Sequence, residues 1–288
     1  MRLKYRIFTK RQLVARICLY LVVCLMLAFT ALPLIYVVFT AFKPLDELLR
    51  FPPTFFVSRP TMTNFSDLIT TLSSSDVPFL RYIFNSLLTT VATVLLSVIV
   101  CCMGAYGMVK HKVPFANAIF LVIVSALMFS GHVTQISNYM IVNSLGLVDN
   151  YLALIIPKVA VAFNFFLIKQ FLEQLPDTYL EAARIDSAGE VTIFLKIVMP
   201  FLKPAVATLT VFSFVSNWND YFSPLVFITK QQLKTLPLAL QSIGEGGNVA
   251  RAGAMAAATF LMTLPTILVF SVMQKNVIQT MAHSGIKA

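Results

Sequence analysis

Three stretches of this chain, residues 17–42, 82–109 and 252–274, run for 26, 28 and 23 residues without an Asp, Glu, Lys or Arg. A helix crosses the hydrocarbon of a bilayer in about 20 residues, and in lipid the backbone must satisfy its own polar groups. Runs of this length therefore call for membrane-spanning helices and exclude an ordinary soluble domain. Composition agrees, because only 12% of the 288 residues are charged, against about 25% in soluble domains. The net charge of +10 is the basic excess that membrane chains keep on the cytoplasmic side, so it does not call for nucleic acid as a partner. Cys18, Cys24, Cys101 and Cys102 all lie inside apolar runs. They read as packing residues rather than as a disulfide framework or a zinc site.

The remaining spans follow from the same pattern, and the fold class is all-α with six transmembrane helices. They are expected at about 17–42, 82–109, 114–134, 150–171, 204–228 and 252–274, with Pro33 kinking the first. Residues 1–16 carry six basic residues and no acid. The run that follows exceeds the 7–15 residues of a signal-peptide core, so it reads as an uncleaved first helix with its N-terminus inside. Segments then assigned to the cytoplasm hold fourteen Lys and Arg, and those assigned outside hold seven. This bias favours cytoplasmic termini. The organisation is a cytoplasmic segment at 1–16, a six-helix domain at 17–274 and a tail at 275–288.

One stretch breaks the apolar pattern. Residues 176–204 contain four of the twelve acidic residues, Asp177, Glu181, Asp186 and Glu190. Thr178 and Glu181 have the spacing of a capping box, and Gly189 suits a left-handed helix end. Ser187 and Glu190 repeat the cap spacing for a second short helix that stops at Pro200. Ala182, Ala183 and Ala188 keep the first helix slim. Two readings of this cytoplasmic double helix stand side by side, insertion into a partner's groove and an interfacial brace.

The segment EAARIDSAGEVTIFLKIVMPFLKPA resembles the EAA signature of ABC importer permeases, through Glu181, Ala182, Ala183, Asp186, Ala188, Phe194, Ile197, Pro200 and Pro204. Ser187 stands where the family has a glycine, with Gly189 two places later. Shorter matches point to the carbohydrate-uptake, maltose-type second permease subfamily. They include Thr40–Pro44, Asn64-Phe65, Asn85-Ser86, Ala105-Tyr106, Leu145-Gly146-Leu147, Asn150-Tyr151, Trp218-Asn219-Asp220, Pro224-Leu225 and Leu236-Pro237-Leu238. The resemblance implies a type I ABC permease in a bacterial inner membrane, forming half of a translocation pore with a second, related permease. It implies an ATPase dimer bound through Glu181, Ala182, Ala183, Asp186, Ser187, Gly189 and Pro200, and an extracytoplasmic binding protein that delivers the carbohydrate. No phosphate-binding G-x-x-x-x-G-K-[ST] loop occurs. ATP, the one cofactor implied, is hydrolysed by partner subunits, and this chain is not an enzyme.

Candidates for the solute path are Tyr151, Lys158, Trp218, Asn219 and Asp220. Lys158 is an ionisable residue within a span, a functional hypothesis by default. On a straight helix Tyr151 and Lys169 share its face, while a lysine near the helix end also snorkels to headgroups. Asn164 points elsewhere and is expected to bond a neighbouring helix. Trp218, Asn219, Asp220 and Tyr221 combine a ring with polar groups, suited to sugars or to an interfacial aromatic belt. His132 reads as a solvated or satisfied histidine, and the glycines at 244–247 as a flexible loop or an outward contact. Glycerol phosphate stays open as a solute. A self-sufficient secondary transporter expects inverted repeats, for which Pro157 and Lys158 have no counterpart; a mere membrane anchor leaves 176–204 unexplained.

Overall fold

The computed structural model describes residues 10–73, 77–111, 113–244 and 251–285, and the described residues form helices joined by turns, with no strand among them. In chain order the helices are α1 (Lys10–Ala41), α2 (Leu45–Leu48), α3 (Thr63–Ser73), α4 (Phe79–Lys110), α5 (Ala116–Ala126), α6 (Gly131–Ser144) and α7 (Tyr151–Ile155). A 3-10 turn at Ile156–Lys158 leads to α8 (Ala162–Leu172), followed by α9 (Asp177–Ile185) and α10 (Glu190–Ile193). A π-helical turn at Phe194–Val198 continues into α11 (Met199–Trp218), then α12 (Phe222–Phe227), α13 (Leu236–Gly244) and α14 (Ala252–Gly285). Most of the basic segment before α1, Lys112, Gly246, Gly247 and the last three residues lie outside the described residues, as does the side chain of His132.

Four helices are long and apolar enough to cross a membrane: Val14–Ala41, Phe79–Lys110, Glu190–Trp218 and Ala252–Ile278. The bent pair Tyr151–Lys158 and Ala162–Leu172, angled at 42°, makes a fifth if taken as one span. The span expected at 114–134 is instead divided. An 11-residue α5 ends at Ala126, and α6 begins at Gly131 with a polar sequence. The fifth span also differs from expectation. Helix runs from Glu190 through Pro200 and Pro204 to Trp218, so Pro200 does not stop it. At the exit of the π turn the Met199 amide reaches back to Phe194 O. Pro200, which has no N–H, falls where the ladder changes register, so little hydrogen bonding is lost there.

The chain forms two compact units. In the first, residues 10–70 with 251–261, α1 is an apolar rod whose side chains from Val14 to Thr30, Cys18 and Cys24 among them, face outward. Its last carbonyls have no helical partner. The buried Asn64 amide supplies one, donating to Ala41 O at 2.9 Å and Lys43 O at 2.7 Å. Gly253 permits this arrangement, because a Cβ there would fall 2.2 Å from Asn64 Oδ1. The Lys43 ammonium is buried and donates to Thr54 O, while the Glu47 carboxylate accepts from the Ser58 and Arg59 amides.

In the second unit, residues 71–244 with 262–285, α4, α8 and α11 pack on one another. Their shared core includes Cys101, Cys102, Ala105, Ile168, Leu172, Leu202 and Leu209. Gly104 admits the Phe165 ring, which a Cβ would meet at 3.1 Å. Deeper in the bundle Asn164 donates to Ser97 Oγ at 3.1 Å and Ser213 Oγ at 2.8 Å, so α8 is bonded to both α4 and α11 as the sequence suggested.

Candidate functional site: a pinned turn and a polar seam

The acidic stretch folds into α9, a tight turn and α10, and its local chemistry differs from the sequence expectation in three respects. Thr178 does not cap α9. The helix starts one residue earlier, at Asp177 behind Pro176, with no side-chain cap bond. Ser187 does not cap α10, and Gly189 does not take the left-handed conformation; it is extended at φ −68°. The left-handed residue is Ser187 itself, at φ 60°. The Ala188 amide donates to Ala183 O at 2.9 Å and the Ser187 amide to Arg184 O at 3.0 Å, the paired bonds of a Schellman ending. The family glycine that Ser187 replaces therefore sits where glycine is conformationally cheapest.

Two apolar side chains, Leu180 and Ile193, anchor this turn in the bundle core. Polar ties then fix its orientation on the end of α4. Lys110 Nζ donates to Leu175 O at 2.6 Å and pairs with Asp177 at 2.8 Å. The Tyr106 hydroxyl donates to Glu190 at 2.6 Å, and the Arg184 guanidinium pairs with Glu190 at 2.9 Å. The hydrogen bond and charge of Lys110 hold the Asp177 carboxyl below its ordinary range, and the Glu190 carboxylate raises Arg184. Glu181 and Ala182 face outward, as do Ile185 at 83% and Val191 at 73% exposure. Beside them α4, the start of α5 and α9 enclose a groove of about 410 Å³ lined by Lys110, His111, Asp177, Glu181 and Arg184.

The second cluster lies within the bundle. A face of α4 carries Tyr82, Asn85, Ser86, Thr89, Thr93 and Ser97, all buried. Their three- and four-residue spacing is one helical stripe, legible in a run whose lack of charge drew attention away from it. Asn85 Nδ2 donates to Gln232 O and Lys234 O at 2.9 and 2.8 Å, and Ser86 Oγ accepts from the Leu236 amide at 2.8 Å. The Tyr151 hydroxyl donates to Asn85 Oδ1 at 2.7 Å and accepts from Arg81 at 3.3 Å. Lys158 pairs with Asp220, whose other oxygen accepts from the Phe222 and Ser223 amides at 3.1 Å.

Lys158 thus has a partner within the chain. The straight stripe of Tyr151, Lys158 and Lys169 does not form, because the break at 159–161 turns α8 away. Lys169 pairs with Glu173 at 2.5 Å and lies over the Phe120 ring. Trp218 is buried, stacked on Phe214, and donates from Nε1 to Met262 O at 2.9 Å. The exposed Asn219 donates to Val215 O at 2.8 Å. Of the Trp-Asn-Asp group, Asp220 alone enters the seam, where Asn217 joins it. Among the described residues no group of three metal-ligating side chains is gathered.

A multi-span bundle carrying a pinned two-helix turn defines a class of membrane permease, and the sequence relationships agree. Residues 5–283 match the model of the binding-protein-dependent transport system inner membrane component, and the chain belongs to that family of ABC transporter permeases. It is 30% identical over 273 residues to protein LplC of Bacillus subtilis, covering 90% of each chain. It is 27% identical to the polygalacturonan/rhamnogalacturonan transport system permease protein YtcP of the same organism, covering 85% of this chain and 88% of that one. The sn-glycerol-3-phosphate transport system permease protein UgpE of Escherichia coli is 30% identical over 87% of this chain and 90% of its own. The fold matches a chain of a bacterial ABC transporter involved in the import of the acidic polysaccharide alginate, with a TM-score of 0.80 at 22% identity over 93% and 98% of the two chains. The family is one of transport permeases rather than enzymes.

Proposed function

We propose that this chain is one of two permease subunits of an ATP-driven carbohydrate importer, with α9 and α10 as the element that docks on the ATPase. The observation that carries the reading is the turn itself. It is held to α4 by Lys110–Asp177 and Tyr106–Glu190, and it presents Glu181, Ala182, Ile185 and Val191 outward. A rigid, slim helix with exposed apolar side chains fits a cleft in a partner, and its ties to α4 carry a push on the turn into the bundle. Asp186, Ser187 and Gly189 shape the turn, and Pro200 lies where it joins the span.

The excess of Lys and Arg in segments 1–16, 110–112, 169–203 and 275–288 supports an orientation with the turn and both termini on the cytoplasmic side of a bacterial inner membrane. In this reading α5 and α6 supply the sixth crossing, completing it beside a second permease. A binding protein outside the membrane delivers the solute, and Tyr151, Lys158 and Asp220 line its path. The names of YtcP and of the alginate importer support a saccharide, while that of UgpE favours glycerol phosphate as the alternative. Co-purification of the ATPase with wild-type and Glu181→Lys chains tests the docking. Loss of the ATPase from a variant that still inserts at normal levels is expected, and full retention would sink the assignment.

A further inference from the structure

Lys158 sits at a break in a span, and Asp220 just past the end of another. Lys158 closes the 3-10 turn where the bent span is interrupted, and Asp220 occupies the gap between α11 and α12. Helix ends leave backbone polar groups without helical partners, and polar side chains gather at them. Here they border a cavity of about 10 Å³, room for one water molecule, lined also by Thr93, Asn217 and Thr235. Thr93 and Thr235 are 1% and 3% exposed, and their hydroxyls have no hydrogen-bond partner among the described residues. A buried hydroxyl favours a hydrogen-bonding partner, and both of these border the cavity. Its charge, by contrast, is complete, since Asp220 balances Lys158.

Resting on the carbohydrate-permease reading above, we infer that this cavity is a solute subsite for an uncharged, hydroxyl-rich part of a saccharide, entered when these two helix ends separate. A sugar hydroxyl both donates and accepts, and so satisfies Thr93, Thr235 and Asn217 while leaving the ion pair whole. Within the cavity itself a carboxylate or phosphate meets no unbalanced cation and faces Asp220. The cavity therefore disfavours uronates and sugar phosphates, in contrast to the solutes that the names of YtcP and UgpE print.

Trp218 is the chain's one tryptophan and lies two residues from Asp220, so its fluorescence reports the site. The experiment titrates the full chain in lipid nanodiscs with maltotriose and, separately, with trigalacturonate. Maltotriose is expected to give a saturable change with a midpoint at least tenfold below that of trigalacturonate. Asp220→Asn, which leaves Lys158 unbalanced, should narrow the gap to less than threefold. The near-isosteric Thr235→Val should raise the maltotriose midpoint about fivefold, and it keeps the test valid if Asp220→Asn does not fold. No saturable response to maltotriose, equal midpoints, or an unchanged midpoint in Thr235→Val would overturn the subsite. A silent Trp218 in a chain that still co-purifies with an ATPase defeats the subsite alone; failure of both defeats the permease reading as well.

Discussion

The pinned turn and the polar seam are both built on ion pairs, yet the same chemistry has opposite consequences in the two places. At the turn, Asp177, Arg184 and Glu190 lie largely in solvent, where pairs gain little and are screened by salt. They orient α9 rather than hold it, and Leu180 and Ile193 supply the hold through burial in the core. In the seam Lys158 and Asp220 have little water around them. Bringing both charges there costs desolvation that their attraction only roughly offsets. Removing either one leaves the other unmatched. The surface pairs therefore set geometry at small cost, while the internal pair makes both residues mutually obligatory.

The largest effect expected from breaking this comparison is in the seam. Asp220→Ala should destabilise the chain by about 3 kcal/mol and abolish uptake. The double change Lys158→Met with Asp220→Leu should recover most of the stability without recovering uptake. Thermal unfolding in detergent together with vesicle uptake checks both, and a single variant as stable as wild type would show that the pair is not coupled. Next in size, Glu181→Lys should weaken ATPase binding tenfold or more with an unchanged melting temperature, because Glu181 is exposed and makes no ion pair among the described residues.

Tyr106→Phe sharpens the comparison from the turn's side. It removes the bond to the Glu190 carboxylate, worth about 1.5 kcal/mol for a charged acceptor. Transport per ATP should fall a few-fold while ATPase binding is retained, measured as the ratio of uptake to hydrolysis. Ser187→Gly is expected to be mildly favourable. A left-handed non-glycine residue costs about 1 kcal/mol, so Tm should rise by about 2 °C; a fall would mean that the serine side chain has a role of its own.

The smallest expected effect is on pH dependence. Asp177 has its carboxyl depressed by Lys110 below the ordinary value of 3.8. Its contribution is present above that value and is lost only as pH falls through the lower, folded one. The hydrogen-exchange protection factors of α9 should thus be flat from pH 7 to about 5 as far as this pair is concerned, and loosening within that range would assign the turn's hold elsewhere.

Several features of the site were legible before any fold was known. Glu181 and Ala182 marked the exposed face of α9, and Asn164 reaches two other helices as its place on α8 suggested. The short matches at Asn85-Ser86, Asn150-Tyr151, Asp220 and Leu236 were separate weak signals in the chain, and the fold joins them around one seam. The caps at Thr178 and Ser187 were misread because cap spacing is a local preference, whereas the start of α9 is set by Pro176 and by burial of Leu180. The stripe through Lys158 and Lys169 failed for a related reason: it assumed a straight helix through residues 159–161.

The sequence by itself determined that the chain enters a membrane, that residues 176–204 form a charged helical interruption, and which family's motif that interruption carries. Those properties depend on run length, composition and local spacing, all of which are written along one segment. Only the tertiary structure decided that Lys158 meets Asp220 across 62 positions, that Tyr106 holds Glu190, and that Ser187 bears the left-handed turn. Each depends on where helices bend and which faces pack, and those are set by the sum of contacts from distant segments.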